Sequence, residues 1–269
     1  MGSSIVEKFC EAYLMLRPRL IPCLLIHNGG LVKTVNFTNP KYLGDPINAL
    51  RIFNEKEVDE LIVLDIDATI KGAEPDYQLI SHLASECRMP LCYGGGIKTV
   101  EQIDKIISLG VEKVAVSSAA IDNTTIISDA ASRVGSQSVV VVIDVKKTGL
   151  LRRQEVVSHN ASRRTGLNPA TFARQMELLG AGEILINSVD RDGVMNGYDM
   201  DLIEQVRQSI NLPLTVLGGA GSLNDIKELI RCYGIIGAGA GSIFVFKGKY
   251  RAVLINYPNR LEKEDLILT

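Results

Sequence analysis

The alternation of short apolar runs with longer amphipathic stretches is the feature that most constrains the fold of this 269-residue chain. Continuous apolar blocks such as "SVVVVID" and "ELIVLDID" are typical of parallel strands that are buried on both faces. The pattern predicts strands near residues 19–26, 60–66, 90–94, 112–117, 138–144, 182–188, 213–217 and 235–240. It predicts helices between them near 45–57, 75–87, 99–109, 123–133, 168–179, 199–209 and 222–231. Eight strands separated by helices favour a single α/β domain, a (β/α)8 TIM barrel, over an open doubly wound sheet.

An internal repeat supports the barrel. The stretch "MPLCYGGGIKTVEQI" at 89–103 resembles "LPLTVLGGAGSLNDI" at 212–226, an offset of 123 residues. The same offset aligns Glu60 with Glu183. A period of half a chain is too long for a solenoid and predicts two half-barrels of four βα units each.

Composition excludes several classes of function. The net charge is −2, so no global basic field indicates a nucleic-acid partner. The five cysteines form no C-x-x-C pair and the three histidines lack ligand spacing, which favours reduced thiols and argues against a zinc site. No apolar run reaches the roughly 18 residues that a membrane span needs. We expect a cytoplasmic protein with a barrel domain at 15–269 and an N-terminal extension at 1–14, which lacks signal-peptide features.

Glycine-rich turns follow the third and seventh predicted strands, as "GGG" at 94–96 and "GGAG" at 218–221. Glycine lets backbone N–H groups approach an anion closely. The fourth and eighth strands are followed by Ser117-Ser118 and Gly241-Ser242. These turns predict two phosphate sites and a substrate with a phosphate at each end. The alternative is that the glycines only make tight turns.

Carboxylates end several predicted strands. Asp144 ends the fifth strand and Asp65 the second, while Asp190 and Asp192 follow the sixth. The C-terminal ends of barrel strands form the mouth, where catalysis takes place. Burial beside valines would raise the pKa of Asp144 toward a value useful for proton transfer. The alternative roles are helix capping and loop ion pairs.

The half-barrel repeat pairs the first strand with the fifth, so that the position equivalent to Asp144 is Leu25. A proton-transfer pair built on this symmetry would have lost one member, because leucine carries no proton.

Charged residues also stand at the starts of four strands. Arg19, Glu60, Lys113 and Glu183 could form a paired ring at the closed end of the barrel, or could simply be solvated. Basic residues crowd the loop after the fifth strand, as either a solvated loop or a clamp for an anionic substrate: Lys146, Lys147, Arg152, Arg153, Arg163 and Arg164.

Five stretches together resemble one family. They are "GSQSVVVVIDVKK", "GAGEILINSVDRDGVMNGYD", "YGGGIKTVEQI", "LGVEKVAVSSAAI" and "VLGGAGS". They are similar to the HisF family, the cyclase subunit of imidazole glycerol phosphate synthase, from about residue 17 to 250. The resemblance implies a barrel that takes ammonia from a HisH-like glutaminase on its bottom face. The ammonia would react at the mouth with a doubly phosphorylated ribulosyl aminoimidazole carboxamide, without a cofactor.

The resemblance also implies roles for individual residues. Asp144 matches a catalytic aspartate, and Arg19, Glu60, Lys113 and Glu183 match the gate of the ammonia passage. The phosphate loops and the first-loop lysine of the family match Lys33, Gly95, Gly96, Ser117, Ser118, Gly193, Gly218, Gly219, Gly241 and Ser242. With the strand-end carboxylates Asp65 and Asp192, these are the predicted phosphate and substrate contacts. Ser117-Ser118 stands where the family has Asn-Thr.

Leu25 departs from the family pattern, because it occupies the position of the first catalytic aspartate. Acid–base catalysis by one residue contributes about 10²–10⁴ in rate. The stretches "PKYLGDPINALRIFNEKEVDELI" and "KGKYRAVLINYP" resemble a paralogous branch associated with bacterial surface-polysaccharide assembly. In that branch the barrel and a glutaminase supply ammonia to a separate amidotransferase that acts on a nucleotide-linked sugar.

Three functions are therefore open. The leading prediction is an ammonia-channelling subunit for amidation of a surface, O-antigen sugar. The second is a working cyclase of histidine biosynthesis, in which another group, with His27 nearest, replaces the lost carboxylate. The third is a catalytically silent scaffold that activates the glutaminase.

Overall fold

The computed structural model describes residues 17–267, so the predicted extension at 1–14 lies outside the described residues. Eight parallel strands form the centre of the fold. The strands β1 to β8 span Arg19–His27, Leu61–Asp65, Leu91–Gly94, Lys113–Val116, Val139–Thr148, Glu183–Ser188, Leu214–Leu217 and Gly237–Ala240.

The strands close into a barrel. β1 pairs in parallel with both β8 and β2, and β5 pairs in parallel with both β4 and β6. The register joins Arg19 to Gly237 on one side of β1 and Leu25 to Leu64 on the other. Since every barrel strand has two neighbours, the (β/α)8 prediction is confirmed and the open doubly wound sheet is excluded.

Helices follow the strands in turn. The helices α1 to α8 span Pro46–Glu55, Tyr77–Glu86, Val100–Ser108, Thr125–Val134, Pro169–Leu178, Met200–Arg207, Leu223–Tyr233 and Arg260–Ile267. Ser222 caps α7, as its sequence predicts, and forms a reciprocal capping box with Asp225. No helix within residues 17–267 is long and apolar enough to cross a membrane.

Apolar side chains form two separate layers. Along β1, Leu20, Leu24 and Ile26 pack outward in the large core beneath the helices. The alternate residues face the barrel interior, because successive side chains of a strand point to opposite faces. The interior cluster contains Ile21, Cys23, Leu25, Val32, Ile62, Cys92, Ala115, Val140, Val142, Leu185 and Leu217.

Additional hairpins lie at the C-terminal ends of the strands. The β1 hairpin, Gly30–Val35 with Thr38–Gly44, follows β1. The β5 hairpin is formed by the extended end of β5 and the return strand Arg153–Ser158. One-turn helices at Ala68–Lys71, Ser118–Asp122 and Ser242–Val245 stand at the same end. The apolar pattern did not predict these elements, and together they build the mouth of the barrel.

The packing between α1 and the barrel predicts a large stability difference between two adjacent residues. Phe53 is completely buried, so Phe53→Ala should lower the free energy of unfolding by about 3–5 kcal/mol. Ile52 is 38% exposed on the same helix, and Ile52→Ala should cost less than about 1 kcal/mol. Urea denaturation of both variants measures the difference, and equal losses would contradict this packing.

Candidate active site at the barrel mouth

A cavity opens at the C-terminal ends of the barrel strands, and we call it the mouth cavity. It is lined by Leu25, Asp144 and every predicted phosphate or substrate position: Lys33, Asp65, Gly95, Gly96, Ser117, Ser118, Asp192, Gly193, Gly218, Gly219, Gly241 and Ser242. The fold therefore brings together side chains from turns that are far apart in the sequence.

Asp144 is the carboxylate best placed for chemistry. Burial near the C-terminal end of β5 raises its pKa to about 6, while the hydrogen bond from the Asn187 amide opposes that rise. Asn187 Nδ2 donates a hydrogen bond of 3.1 Å to Asp144 Oδ1. A carboxyl group with this pKa can accept or return a proton near neutral pH.

The matching position of the first half-barrel is apolar. Asp144 pairs in register with Asn187, and Leu25 pairs in register with Leu64. The 123-residue offset of the repeat relates Leu64 to Asn187. Because Leu25 is the strand partner of Leu64 and Asp144 is the strand partner of Asn187, the two pairs occupy equivalent places. Leu25 is only 8% exposed and packs in the interior cluster. One side of the cavity thus has a hydrogen-bonded polar pair, and the equivalent place has two leucines.

The His27 side chain contacts Asp67 outside the wall of the mouth cavity. Its Nδ1 lies 2.6 Å from Asp67 Oδ1, and the side chain is not part of the cavity wall. Burial would raise the pKa of Asp67, but hydrogen bonds from Lys71 and from the amide of Asn28 lower it overall. The prediction that His27 takes over proton transfer is therefore not supported by the geometry.

Asp192 fastens the β1 hairpin to the loop after β6. Its Oδ2 accepts hydrogen bonds from Thr34 Oγ1 at 2.6 Å and from the Phe37 amide at 3.2 Å. Lys33 lies on the same hairpin, with Nζ 3.9 Å from Asp192 Oδ1. The Lys33 side chain also lies against Gly241, so that its ammonium group faces the loop after β8.

Backbone packing by itself explains part of the glycine requirement. Gly219 has φ +115°, and a Cβ there would lie 2.1 Å from the carbonyl oxygen of Gly197. Gly95 has φ +122°, and a Cβ there would lie 2.4 Å from the carbonyl oxygen of Asp65. Any other residue would be strained and would collide with backbone. The tight turns alone therefore explain why glycine is required at these two positions. Phosphate binding by these turns remains a prediction.

Asp65 caps its own loop. Its Oδ1 accepts hydrogen bonds from the amides of Asp67 at 2.8 Å and Ala68 at 3.1 Å. This arrangement agrees with the capping alternative, although the residue also reaches the cavity wall.

The six basic residues of the β5 hairpin and the segment that follows it do not form a clamp on the cavity. Arg164 pairs with Glu155 at 2.7 Å, Arg163 with Asp122 at 2.9 Å, and Lys147 with Asp199 at 3.3 Å. None of the six lines the mouth cavity. Their predicted role as an anion clamp is therefore not supported, and the solvated alternative fits the β5 hairpin better.

Several cavity residues were missed from the sequence: Phe37, Thr69, Lys98, His159, Asn160 and Asn187. Asn187 had a signal, because it is a polar residue in the apolar run "EILIN" of a predicted strand. The others lie in loops, hairpins or, for Thr69, a one-turn helix, none of which has a periodic pattern. Within residues 17–267, no three His, Cys, Asp or Glu side chains are close enough to hold a metal ion.

The four charged residues at the strand starts form a closed network, which we call the basal ring. Arg19 contacts Glu60, and its Nη2 donates to Glu183 Oε1 at 2.7 Å. Lys113 Nζ bridges Glu60 at 2.9 Å and Glu183 at 2.8 Å. The ring lies at the end of the barrel opposite the mouth cavity, with the apolar interior cluster between them.

The basal ring is electrically neutral and partly desolvated. Burial alone would raise the pKa of Glu183, but Arg19 and Lys113 lower it to about 2. Burial would lower the pKa of Lys113, but Glu183 and Glu60 raise it overall. Thr215 Oγ1 also donates to Glu183 at 2.6 Å. Removing one cation would leave a buried carboxylate without a partner, which typically lowers the free energy of unfolding by about 3–5 kcal/mol. The alternative of solvated charges is therefore not supported.

Comparisons with known proteins agree with this architecture. A family model described as "Histidine biosynthesis protein" matches residues 19–251. A relative from Leptospira interrogans, named "Putative imidazole glycerol phosphate synthase subunit HisF", is 59% identical over 252 residues, 94% of this chain and 99% of the relative. A similarly named hisF3 protein of Vibrio vulnificus is 55% identical, over 96% of this chain and 99% of the relative. The imidazole glycerol phosphate synthase subunit HisF of Sulfurisphaera tokodaii is 39% identical, over 81% of this chain and 86% of the relative.

The raised pKa of Asp144 makes a prediction about stability. The folded chain holds this proton more tightly than the unfolded chain, whose pKa is near 3.8, so ionisation penalises folding as the pH rises from about 4 to 6. Asp144→Asn should therefore stabilise the protein by on the order of 1–3 kcal/mol at pH 8, with a smaller gain at pH 5. Urea denaturation at the two pH values measures this gain, and a gain independent of pH would contradict the raised pKa.

Proposed function

Because this chain belongs to the HisF family of histidine biosynthesis proteins, we propose that it is the ammonia-using subunit of an imidazole glycerol phosphate synthase. A HisH-like glutaminase at the bottom face would supply the ammonia. The names of the relatives support this histidine-pathway function, the second one in the sequence analysis, better than amidation of a surface sugar.

The basal ring is the observation that carries the proposal. A neutral network of four partly buried charges closes the end of the barrel opposite the mouth cavity. The layer above it is apolar, and burying an ammonium ion there would be expensive, whereas neutral ammonia carries no such cost. Opening of one ion pair in the ring would admit ammonia, and the apolar layer would exclude its protonated form.

Asp144 would handle the proton at the mouth. Ammonia that adds to a carbonyl carbon becomes positively charged and must lose a proton. With its pKa raised to about 6, Asp144 is largely a carboxylate at neutral pH and can accept that proton. Lys33 and the loops after β3, β4, β7 and β8 would hold the two phosphates of the substrate.

A second function is favoured by Leu25. Leucine at the place equivalent to Asp144 removes one proton-transfer group but leaves the basal ring unaltered. Such a barrel could deliver ammonia to a separate amidotransferase that modifies a nucleotide-linked sugar of a surface polysaccharide. A catalytically silent scaffold for the glutaminase is the remaining alternative.

The cyclase proposal predicts a reaction without the glutaminase. The purified chain, given an ammonium salt and the doubly phosphorylated ribulosyl aminoimidazole carboxamide, should form imidazole glycerol phosphate. Asp144→Asn should lower the rate by about 10²–10⁴. Product formation is measured by chromatography. If the chain forms no product under these conditions, the cyclase proposal fails. If Asp144→Asn also leaves every activity of the complex intact, the scaffold alternative is favoured.

A substitution at position 25 distinguishes the cyclase function from ammonia delivery to a separate amidotransferase. If loss of the first carboxylate abolished cyclisation, Leu25→Asp should create or raise cyclase activity. Leu64→Asp on the neighbouring strand serves as the control, because it introduces the same charge at a different place in the cavity wall. Thermal unfolding checks that both variants remain folded. If the wild-type chain forms the product as fast as Leu25→Asp does, a carboxylate at position 25 is dispensable for cyclisation.

The basal ring predicts loss of coupling when one cation is removed. With a glutaminase partner, Lys113→Ala should leave glutamine hydrolysis in place while less of the ammonia reaches product. The ratio of glutamate to product measures coupling, and activity with added ammonium salt should change little. Lys105→Ala removes the same charge from an exposed position on α3 and should leave the ratio unaltered. An unchanged ratio in Lys113→Ala would contradict the role as a gate.

A further inference from the structure

The β5 hairpin brings a histidine to the mouth cavity that the proposed function leaves without a role. His159 follows the return strand Arg153–Ser158 and lines the cavity. We propose that its imidazole binds the substrate phosphate at the β3–β4 end of the cavity. This inference rests on the proposed function only in assuming a substrate that carries phosphate.

The hairpin tip is fastened across the mouth by three contacts. The His159 amide donates to Ser118 Oγ at 3.3 Å, in the loop after β4. Asn160 Nδ2 donates to the carbonyl oxygen of Ile66 at 2.7 Å, just beyond β2. Arg163 pairs with Asp122 at 2.9 Å. These contacts hold His159 directly beside the predicted serine loop.

The backbone at the tip is unusual. His159, Asn160 and Ala161 have φ values of +53°, +53° and +61° in succession. Left-handed conformations are unfavourable for residues other than glycine and persist where the surrounding structure enforces them. The three anchoring contacts provide that enforcement, so the position of the histidine is set by tertiary structure.

The imidazole has one nitrogen engaged and one available. Nδ1 lies 3.1 Å from the hydroxyl of Ser158, which is only 1% exposed. Within residues 17–267, Nε2 of His159 has no hydrogen-bond partner. When Nδ1 accepts the hydrogen bond from the Ser158 hydroxyl, the ring proton is on Nε2, and Nε2 can then donate to a ligand in the cavity.

The distribution of basic groups around the cavity supports phosphate as that ligand. Among the described residues, the basic side chains in the cavity wall are Lys33, Lys98 and His159. Lys33 serves the β8 side, where it lies against Gly241. Lys98 Nζ already donates to the carbonyl oxygen of Gly72 at 2.9 Å. His159 is therefore the basic group beside Ser118 whose donor is not engaged by the protein.

Equilibrium dialysis with radiolabelled inorganic phosphate tests the inference. The wild-type chain should bind two phosphates, and His159→Asn should weaken one site about 10- to 100-fold while sparing the other, as expected for loss of a hydrogen bond to a charged group. Asparagine suits this position because it tolerates a left-handed backbone. His82→Ala, on the exposed side of α2, is the matched control and should bind like the wild-type chain.

Double variants locate the affected site. Ser118→Ala and His159→Asn should be non-additive, because both would contact one phosphate. Lys33→Ala and His159→Asn should add, because Lys33 serves the other site. Full phosphate binding by folded His159→Asn, or additivity with Ser118→Ala, would overturn the inference. Its failure is distinct from failure of the cyclase proposal, because dialysis requires neither ammonia nor turnover.

Discussion

Closure of the eight-stranded barrel is the constraint on which the rest of this structure depends. When every strand has a neighbour on both sides, alternate side chains must point into one enclosed interior. Strand starts then meet at one end and strand ends at the other. Arg19 and Asp144 lie at opposite ends for this reason alone. Barrel closure therefore places the basal ring at one end, the apolar interior cluster in the centre and the polar mouth cavity at the other end.

The two ends use charge in different ways. In the basal ring, the opposite charges of Glu183 and Lys113 stabilise one another, so that both groups remain ionised despite burial. At the mouth, Asp144 lacks a basic partner, so burial raises its pKa toward neutrality. The first arrangement suits a closed structural network, and the second suits proton transfer. Leu25 places an apolar side chain in the cavity wall at the position equivalent to Asp144, whereas the basal ring is a complete network of charges.

Much of the site could be predicted because strand ends and glycine turns leave clear marks in the sequence. Asp144, the basal ring and the small residues after β3, β4, β7 and β8 were all identified in advance, and the cavity or the ring contains them. The contact between His27 and Asp67 could not be predicted, because Asp67 comes from another strand end. His159 was missed because the β5 hairpin forms through contacts with distant loops and has no apolar period of its own.

The amino-acid sequence by itself determined the fold class, the order of strands and helices, and the residue types available at each end of the barrel. It could do so because apolar periodicity and turn residues act locally, and because the half-chain repeat preserves them. Only the tertiary structure decided which charges pair in the basal ring, which histidine lines the mouth cavity, and how far the pKa of Asp144 rises. Those properties depend on distances between strands and on burial, and neither is present in the chain before it closes.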